Sequence, residues 1–399
     1  MLKTVKLKLK DFPNIPGSLL DSGSYGGTPS ALSEIPVNLN DLFRFYYLQS
    51  YDLWVSGHFA FLFEHVRHLE PITAFTFSKN GLGAHKTKKQ NNSNDLGEAF
   101  CRWFLSTHLN IHHVARMDDV CGHGAITAAV GWSVKRSSQG DAPDYFCVDQ
   151  RGLVTLAEAK GTMDSLTFKN AKFVKWRQQF DRVTIRDPAG HAVYVKGYIV
   201  AMRWKILPKH GNRIDTTLFA EDPNSPGERP LDDNGMPHFS AAVRSLHYAP
   251  SLARLGQPLL SAALAAGTAM DRKEVIRATV WKSVRPELSG LRFVGGCFYY
   301  AEEGFATSPL NLSHMAALDL LRRRRKMQPI LLPSIGHFFG IEEKTFYRLV
   351  AAGKEGPLEI NKLPELERRT IDEGGVGLLP DGHVFGPYEA FEPVEDIEV

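Results

Sequence analysis

Between Asp95 and Ile206 the alternation of apolar and polar positions is sharp enough to assign elements. LGEAFCRWFLSTHL puts Leu96, Phe100, Trp103 and Phe104 on one helical face. The polar stretch before it, HKTKKQNNSND, reads as an exposed linker or loop, with Asp95 as the N-cap of the helix. IHHVAR is a short strand, and GAITAAVGWSV fits strand or helix. APDYFCVD is rich in aromatic and β-favouring residues, DQRG makes a turn, and LVTLAEAKG returns as a second strand. In LTFKNAKFVKWRQQFDRV, residues Leu166, Phe173, Trp176, Phe180 and Val183 recur at helical spacing, which predicts an amphipathic helix with a basic outer face. Asp187-Pro188-Ala189-Gly190 breaks it, and HAVYVKGYIVAMRWKI is a long strand. The predicted order is helix, strands, helix, strand.

The flanks are less regular. DSGSYGGTPSALSEIP is a loop, and no Gly-Lys-Ser/Thr closes it into a phosphate-binding turn. LFAEDPNSPGERPLDDNGMP is a second loop-rich stretch. Beyond it, 240–285 reads as mostly helical, FVGGCFYY as a strand and 312–353 as two or three helices, with IEEKTFYRLVAAG resembling the second helix of a helix-turn-helix. The Asp-Gly and Gly-Gly turns near the C-terminus suggest a small β-rich tail. Three regions are therefore expected: an N-terminal accessory region (1–85), a core (86–215) and a C-terminal accessory region (216–399), mainly helical with that tail.

Composition narrows the class. With 399 residues, 43% hydrophobic and 23% charged, the chain is long enough for two or three globular domains. It has no apolar run of transmembrane length, and its basic N-terminus lacks the apolar segment of a secretory signal. Four cysteines without paired spacing read as thiols of a reducing compartment, so a cytoplasmic location is expected. A net charge of +3 does not by itself point to nucleic acid. Local basic runs do: KTKK at 86–89, Lys169 to Arg177 (Lys169, Lys172, Lys175, Arg177), and RRRRK at 322–326 (Arg322, Arg323, Arg324, Arg325). Taken singly, each of these reads rather as a solvated helix or loop face.

The chemistry concentrates at Pro143-Asp144 and Glu158-Ala159-Lys160. Alternation along a strand puts Glu158 and Lys160 on one side, and the turn at 149–152 returns the preceding strand beside them. Two carboxylates and an ammonium then meet at one edge of a sheet, within a strand apolar enough to be buried. A buried charge needs a partner or a metal ion. Carboxylates holding Mg²⁺ beside a lysine suit phosphodiester hydrolysis.

These residues resemble the PD-(D/E)xK nuclease superfamily: Pro-Asp at 143–144, Glu-Ala-Lys at 158–160, and the matching element order across the core. The resemblance implies an α/β restriction-endonuclease-like core of helix, three-stranded meander, helix and strand. It implies Asp144 and Glu158 as ligands of Mg²⁺, with Mn²⁺ as substitute, and Lys160 as the catalytic lysine. Two further positions follow from the family. Glu98 matches an acidic residue of the first core helix, although an exposed helix-start glutamate is as good a description. Gln179 matches a glutamine of the second core helix, and a solvated glutamine is the alternative. A competing zinc cluster among His108, His112, His113, Cys121 and His123 lacks paired-ligand spacing. Asp118-Asp119 is a turn or an added carboxylate. No GxSxG elbow, HExxH helix or dinucleotide fingerprint occurs.

The expectation is thus a Mg²⁺-dependent endonuclease acting on DNA, by analogy in bacterial restriction or anti-phage defence, as a homodimer or inside a larger defence complex and without a membrane partner. An RNA-cleaving toxin-like effector and an inactive nuclease-fold scaffold are the alternatives.

Overall fold

The computed structural model describes residues 1–21, 30–50, 68–122, 131–211, 213–223, 237–301, 304–305, 336–370 and 375–399. The Arg322–Arg325 run, His123, most of GAITAAVGWSV, most of the loop expected at 218–237 and the helices expected at 312–335 lie outside the described residues. The described chain is mixed α/β and forms two compact units, one up to Leu246 and one from His247 onward.

The first unit is built on β1 (Leu2–Lys10), β2 (Glu34–Asn38), α1 (Leu39–Ser50), α2 (Lys86–His108), β3 (Ile111–Arg116), α3 (Met117–Gly122), β4 (Ser133–Arg136), β5 (Tyr145–Asp149), β6 (Val154–Thr162), α4 (Ala171–Phe180), β7 (Val183–Arg186), β8 (Ala192–Val193), β9 (Gly197–Arg203) and β10 (Thr217–Glu221). Its seven-stranded sheet runs β2-β1-β10-β9-β6-β5-β3, while β4, β7 and β8 make a small sheet apart. Strands β3, β5 and β6 pair antiparallel in sequence, and β9 lies parallel to β6 after the α4 crossover. Val154 to Ala159 are all buried, as expected of an interior strand covered on both faces.

Two helices supply those covers. On one face Phe100 of α2 packs against Phe75 and Trp204. On the other, Phe173 of α4 lies against Phe168 and Phe219, and Phe180 presses on Gly197.

Several expectations need correction. Helix α2 begins at Lys86, with His85 as N-cap, so HKTKKQNNSND is helix and Asp95 lies inside it. Burial of Asn92 and Ser93 outweighs the loop-like composition. The boundaries at 85 and 215 also do not break the structure. Strand β1 pairs parallel with β10, Lys6 opposite Thr217, so both ends of the unit share one sheet. The long strand expected at 191–206 is two, β8 and β9.

Among its described residues the second unit is not mainly helical. Beside the end of α5 (Pro237–Arg254), α6 (Pro258–Ala266) and α7 (Glu343–Glu355), it holds β11 (Arg277–Ser283), β12 (Arg292–Ala301), β13 (Gly304–Phe305), β14 (Gly336–Glu342), β15 (Arg369–Thr370), β16 (Gly377–Leu378), β17 (His383–Pro387) and β18 (Phe391–Glu398). These form an eight-stranded sheet ordered β15-β16-β17-β14-β12-β11-β18, with β13 on β12. Adjacent residues such as Phe338-Phe339 and Val384-Phe385 are both buried, so the two-residue period that marks half-exposed strands is missing. Helix α7 follows β14 directly, not another helix as a helix-turn-helix would require. No described helix is long and apolar enough to cross a membrane.

Candidate active site

Strand β6 carries Glu158 and Lys160, with Thr162 next on the same side. Their register partners on β9 are Ile199, Ala201 and Arg203. Lys172 of α4 reaches Thr162 Oγ1 at 3.3 Å, so this is the α4 face of the sheet. Asp144 precedes β5, and its main-chain oxygen accepts the Met117 N–H, holding the loop to the start of α3. Its Oδ2 accepts the Ala159 N–H at 2.8 Å. The three expected residues are thus brought together by backbone pairing.

Lys160 Nζ stands 3.3 Å from Asp144 Oδ2 and 2.5 Å from Glu158 Oε1. The Glu158 side chain is fully buried, whereas Lys160 and Asp144 keep 26% and 30% of their side chains exposed. Solvent therefore reaches the site from the Asp144 side. Apart from the ion pair with Lys160, neither Glu158 oxygen receives a well-aligned hydrogen bond from the described residues. Burial, reinforced by the Asp144 charge, pushes the Glu158 carboxyl well above the usual carboxylate range despite Lys160. For Lys160, burial alone would lower the pKa, but the two carboxylates outweigh it and the net shift is upward.

Backbone packing fixes where α2 sits. A Cβ on Gly161 would lie 1.8 Å from the Ser93 oxygen, and one on Gly97 would lie 2.7 Å from the Gly161 nitrogen. Helix and strand therefore touch main chain to main chain beside Lys160, which only glycine permits. Trp204 Nε1 donates to Ser93 Oγ at 2.8 Å and closes the contact. Sequence reading singled out neither glycine, although each adjoins a candidate residue, in LGE and in AKG.

Glu98 is not an exposed helix-start residue. It lies in the middle of α2, half-buried, and accepts a 2.8 Å hydrogen bond from Tyr145 Oη. Tyr145 pairs with Ala157 and so faces α2, opposite to Glu158. Burial raises the Glu98 carboxyl, partly offset by Tyr145, and the charge of Asp144 adds to the rise. Gln179 is not solvated either: it is 3% exposed on α4, on the face that carries Glu158, and its Oε1 lacks a hydrogen bond from the described residues.

The basic face of α4 divides. Lys169 and Lys175 are exposed. Lys172 pairs with Asp164 at 2.6 Å. Arg177 forks onto buried Glu221 at 2.9 and 2.7 Å, which makes it a tie between α4 and β10. Asp118 pairs with Arg136 at the surface. Among the described residues, the side chains expected to compete for zinc form no ligand group: His108 meets Ser18 Oγ, and His112 meets Ser106 Oγ. Among the described residues, the group of three ligand-bearing side chains that does converge is His247, Asp381 and His383, in the second unit. Compared with known proteins, the chain matches no family model, no curated protein and no solved structure.

Proposed function

We propose that the chain is a divalent-metal-dependent nuclease hydrolysing phosphodiester bonds, with DNA as the favoured substrate. The observation that carries this is the fully buried Glu158 carboxyl, paired with Lys160 but with neither oxygen in a well-aligned hydrogen bond among the described residues, beside a half-open Asp144–Lys160 edge. Burying such a charge costs several kcal/mol, a cost that a bound cation offsets. The element order α2, β3-β5-β6, α4, β9 supports a restriction-endonuclease-like core.

The donor set fits a hard ion. Asp144 and Glu158 would hold Mg²⁺, or Mn²⁺ in its place, and the ion would polarise the phosphate and acidify a water. Lys160 is held charged by the carboxylates on both sides of it, so its ammonium is available to offset charge on a phosphoryl oxygen. Lys169 and Lys175 lie exposed near the start of α4 and are the described candidates to neutralise backbone phosphates. A restriction or anti-phage setting rests on the resemblance alone.

A second possibility is a retired site. The double ion pair of Lys160 would also suit a structural triad in a nuclease-fold scaffold. The decisive experiment is digestion of plasmid DNA, single-stranded DNA and total RNA with Mg²⁺, Mn²⁺ or EDTA, using wild type and Lys160→Ala. Metal-dependent cutting lost in the variant is the expected result, and the substrate degraded separates DNA from RNA. Folded wild type that is silent on all three substrates in both metals favours the scaffold.

A further inference from the structure

The second unit gathers two imidazoles around one carboxylate. Helix α5 carries His247 and, one turn later, Ser251 on the same face. The turn before β17 carries Asp381 and His383, separated by Gly382 at φ 88°, a left-handed conformation that suits glycine. His247 Nε2 and His383 Nδ1 each lie 3.0 Å from Asp381 Oδ2. All three residues are buried.

We infer that His247 Nε2, Asp381 Oδ2 and His383 Nδ1 form a Zn²⁺ site. Three features beyond proximity point there. First, His383 Nδ1 is buried and faces Asp381 Oδ2 at 3.0 Å without a well-aligned hydrogen bond, so its ring nitrogen is aimed into the cluster. Second, the rest of the ligand set is already oriented. His383 Nε2 meets Ser251 Oγ at 2.7 Å, Asp381 Oδ1 accepts the His383 N–H at 3.1 Å, and the Asp381 main-chain oxygen accepts Tyr248 Oη at 2.6 Å. Each partner leaves the inward atom for a metal, as outer-shell groups do around zinc. Third, the spacing is compatible with the ion. Tetrahedral ligands at about 2.0–2.2 Å from zinc stand roughly 3.3 Å apart; both imidazole nitrogens lie 3.0 Å from Asp381 Oδ2, and all three ligand atoms lie within 4.8 Å of one another.

The donor chemistry chooses among metals. Two imidazoles and one carboxylate suit a late first-row ion, and zinc more than Mg²⁺ or Ca²⁺, which favour all-oxygen shells. Burial of every ligand makes this an ion that braces the fold. It ties α5 to the turn between β16 and β17 and is separate in kind from the hard-ion site at Asp144.

The test is a Co²⁺ titration of the full-length chain after dialysis against chelator, read by the visible d–d absorption and then by displacement with Zn²⁺. Asp144→Ala is titrated in parallel to remove the other carboxylate site. One equivalent bound in Asp144→Ala is expected, with any further equivalent in the wild type belonging to the Asp144 site, so the variants below are made in the Asp144→Ala background. Binding should weaken about 100-fold or more in His383→Gln and His247→Gln, and by about tenfold in Ser251→Ala, which keeps all three ligands. Zn²⁺ should also raise the melting temperature of the wild type, a readout that does not depend on the ligand variants folding. Folded wild type that takes up no Co²⁺ or Zn²⁺ at micromolar concentration overturns the site, and so does binding that persists unchanged in both histidine variants.

Discussion

Glu158 shows most directly how a single residue can trade stability for chemistry. Its carboxyl is fully buried, and burial raises its pKa above the ordinary 4.5. A carboxyl with a raised folded pKa takes up a proton when the chain folds. The stability it contributes is therefore complete below the unfolded value and is lost as pH rises through the folded one. At neutral pH without metal, Glu158 is a strain on the fold. Glu158→Gln should leave the protein as stable or more stable by about 1–2 kcal/mol in EDTA, while removing cleavage. Urea unfolding of both proteins from pH 4.5 to 8 checks this, and parallel pH profiles would show that Glu158 does not carry the strain. The residues of this site were legible in the sequence because charge in an otherwise buried strand is rare. What Glu98 and Gln179 do was not, because their burial depends on where α2 and α4 dock.

At the scale of elements, the position of α2 is set by Gly97 and Gly161 rather than by its apolar stripe alone. Adding a methyl group at Gly161 would drive it into the Ser93 carbonyl. Gly161→Ala should cost at least about 1–3 kcal/mol by overpacking and should lower cleavage, because Lys160 is the adjacent residue on the strand. Differential scanning calorimetry together with the plasmid assay checks both effects, and an unshifted melting temperature would mean that α2 yields easily. The order helix, strands, helix, strand could be read because α2 and α4 each carry an apolar stripe and the strands between them are rich in β-branched and aromatic residues bounded by turns. The start of α2 at Lys86 could not, since the run of Lys, Gln and Asn is held as helix where Ser93 meets Gly161 of β6 and Asn92 donates to the Leu82 main-chain oxygen. The strands of the second unit were hidden for the opposite reason: burial on both faces erases alternation.

Across the molecule, two buried groups of opposite kind should respond to acid with opposite sign. In the first unit, the carboxyls of Asp95, Glu98, Asp149, Glu158 and Asp222 are all raised, chiefly by burial, so these groups favour folding as pH falls toward the carboxylate range. In the second unit, burial lowers the pKa of His337 to about 4. A depressed histidine contributes stability above its unfolded value, near 6.5, and loses it as pH falls toward the folded one. The loss amounts to at most about 3 kcal/mol by pH 4. Hydrogen exchange at pH 7 and pH 5 should show weakened protection in β14 and β12 but not in β6 and β9, and His337→Gln should flatten the difference. Equal loss in both units would contradict the assignment.

The pairing of β1 with β10 also sets a timetable. Lys10 and Glu221, joined across those strands, are 211 residues apart. A ribosome adding roughly 5–20 residues per second needs about 10–40 seconds to cover that distance. During that interval β1 can fold back on β2, but the edge that β10 will occupy stays open. Glu158 and Lys160 emerge well before the sheet around them can close, so the sheet that carries the site is completed late in its own synthesis.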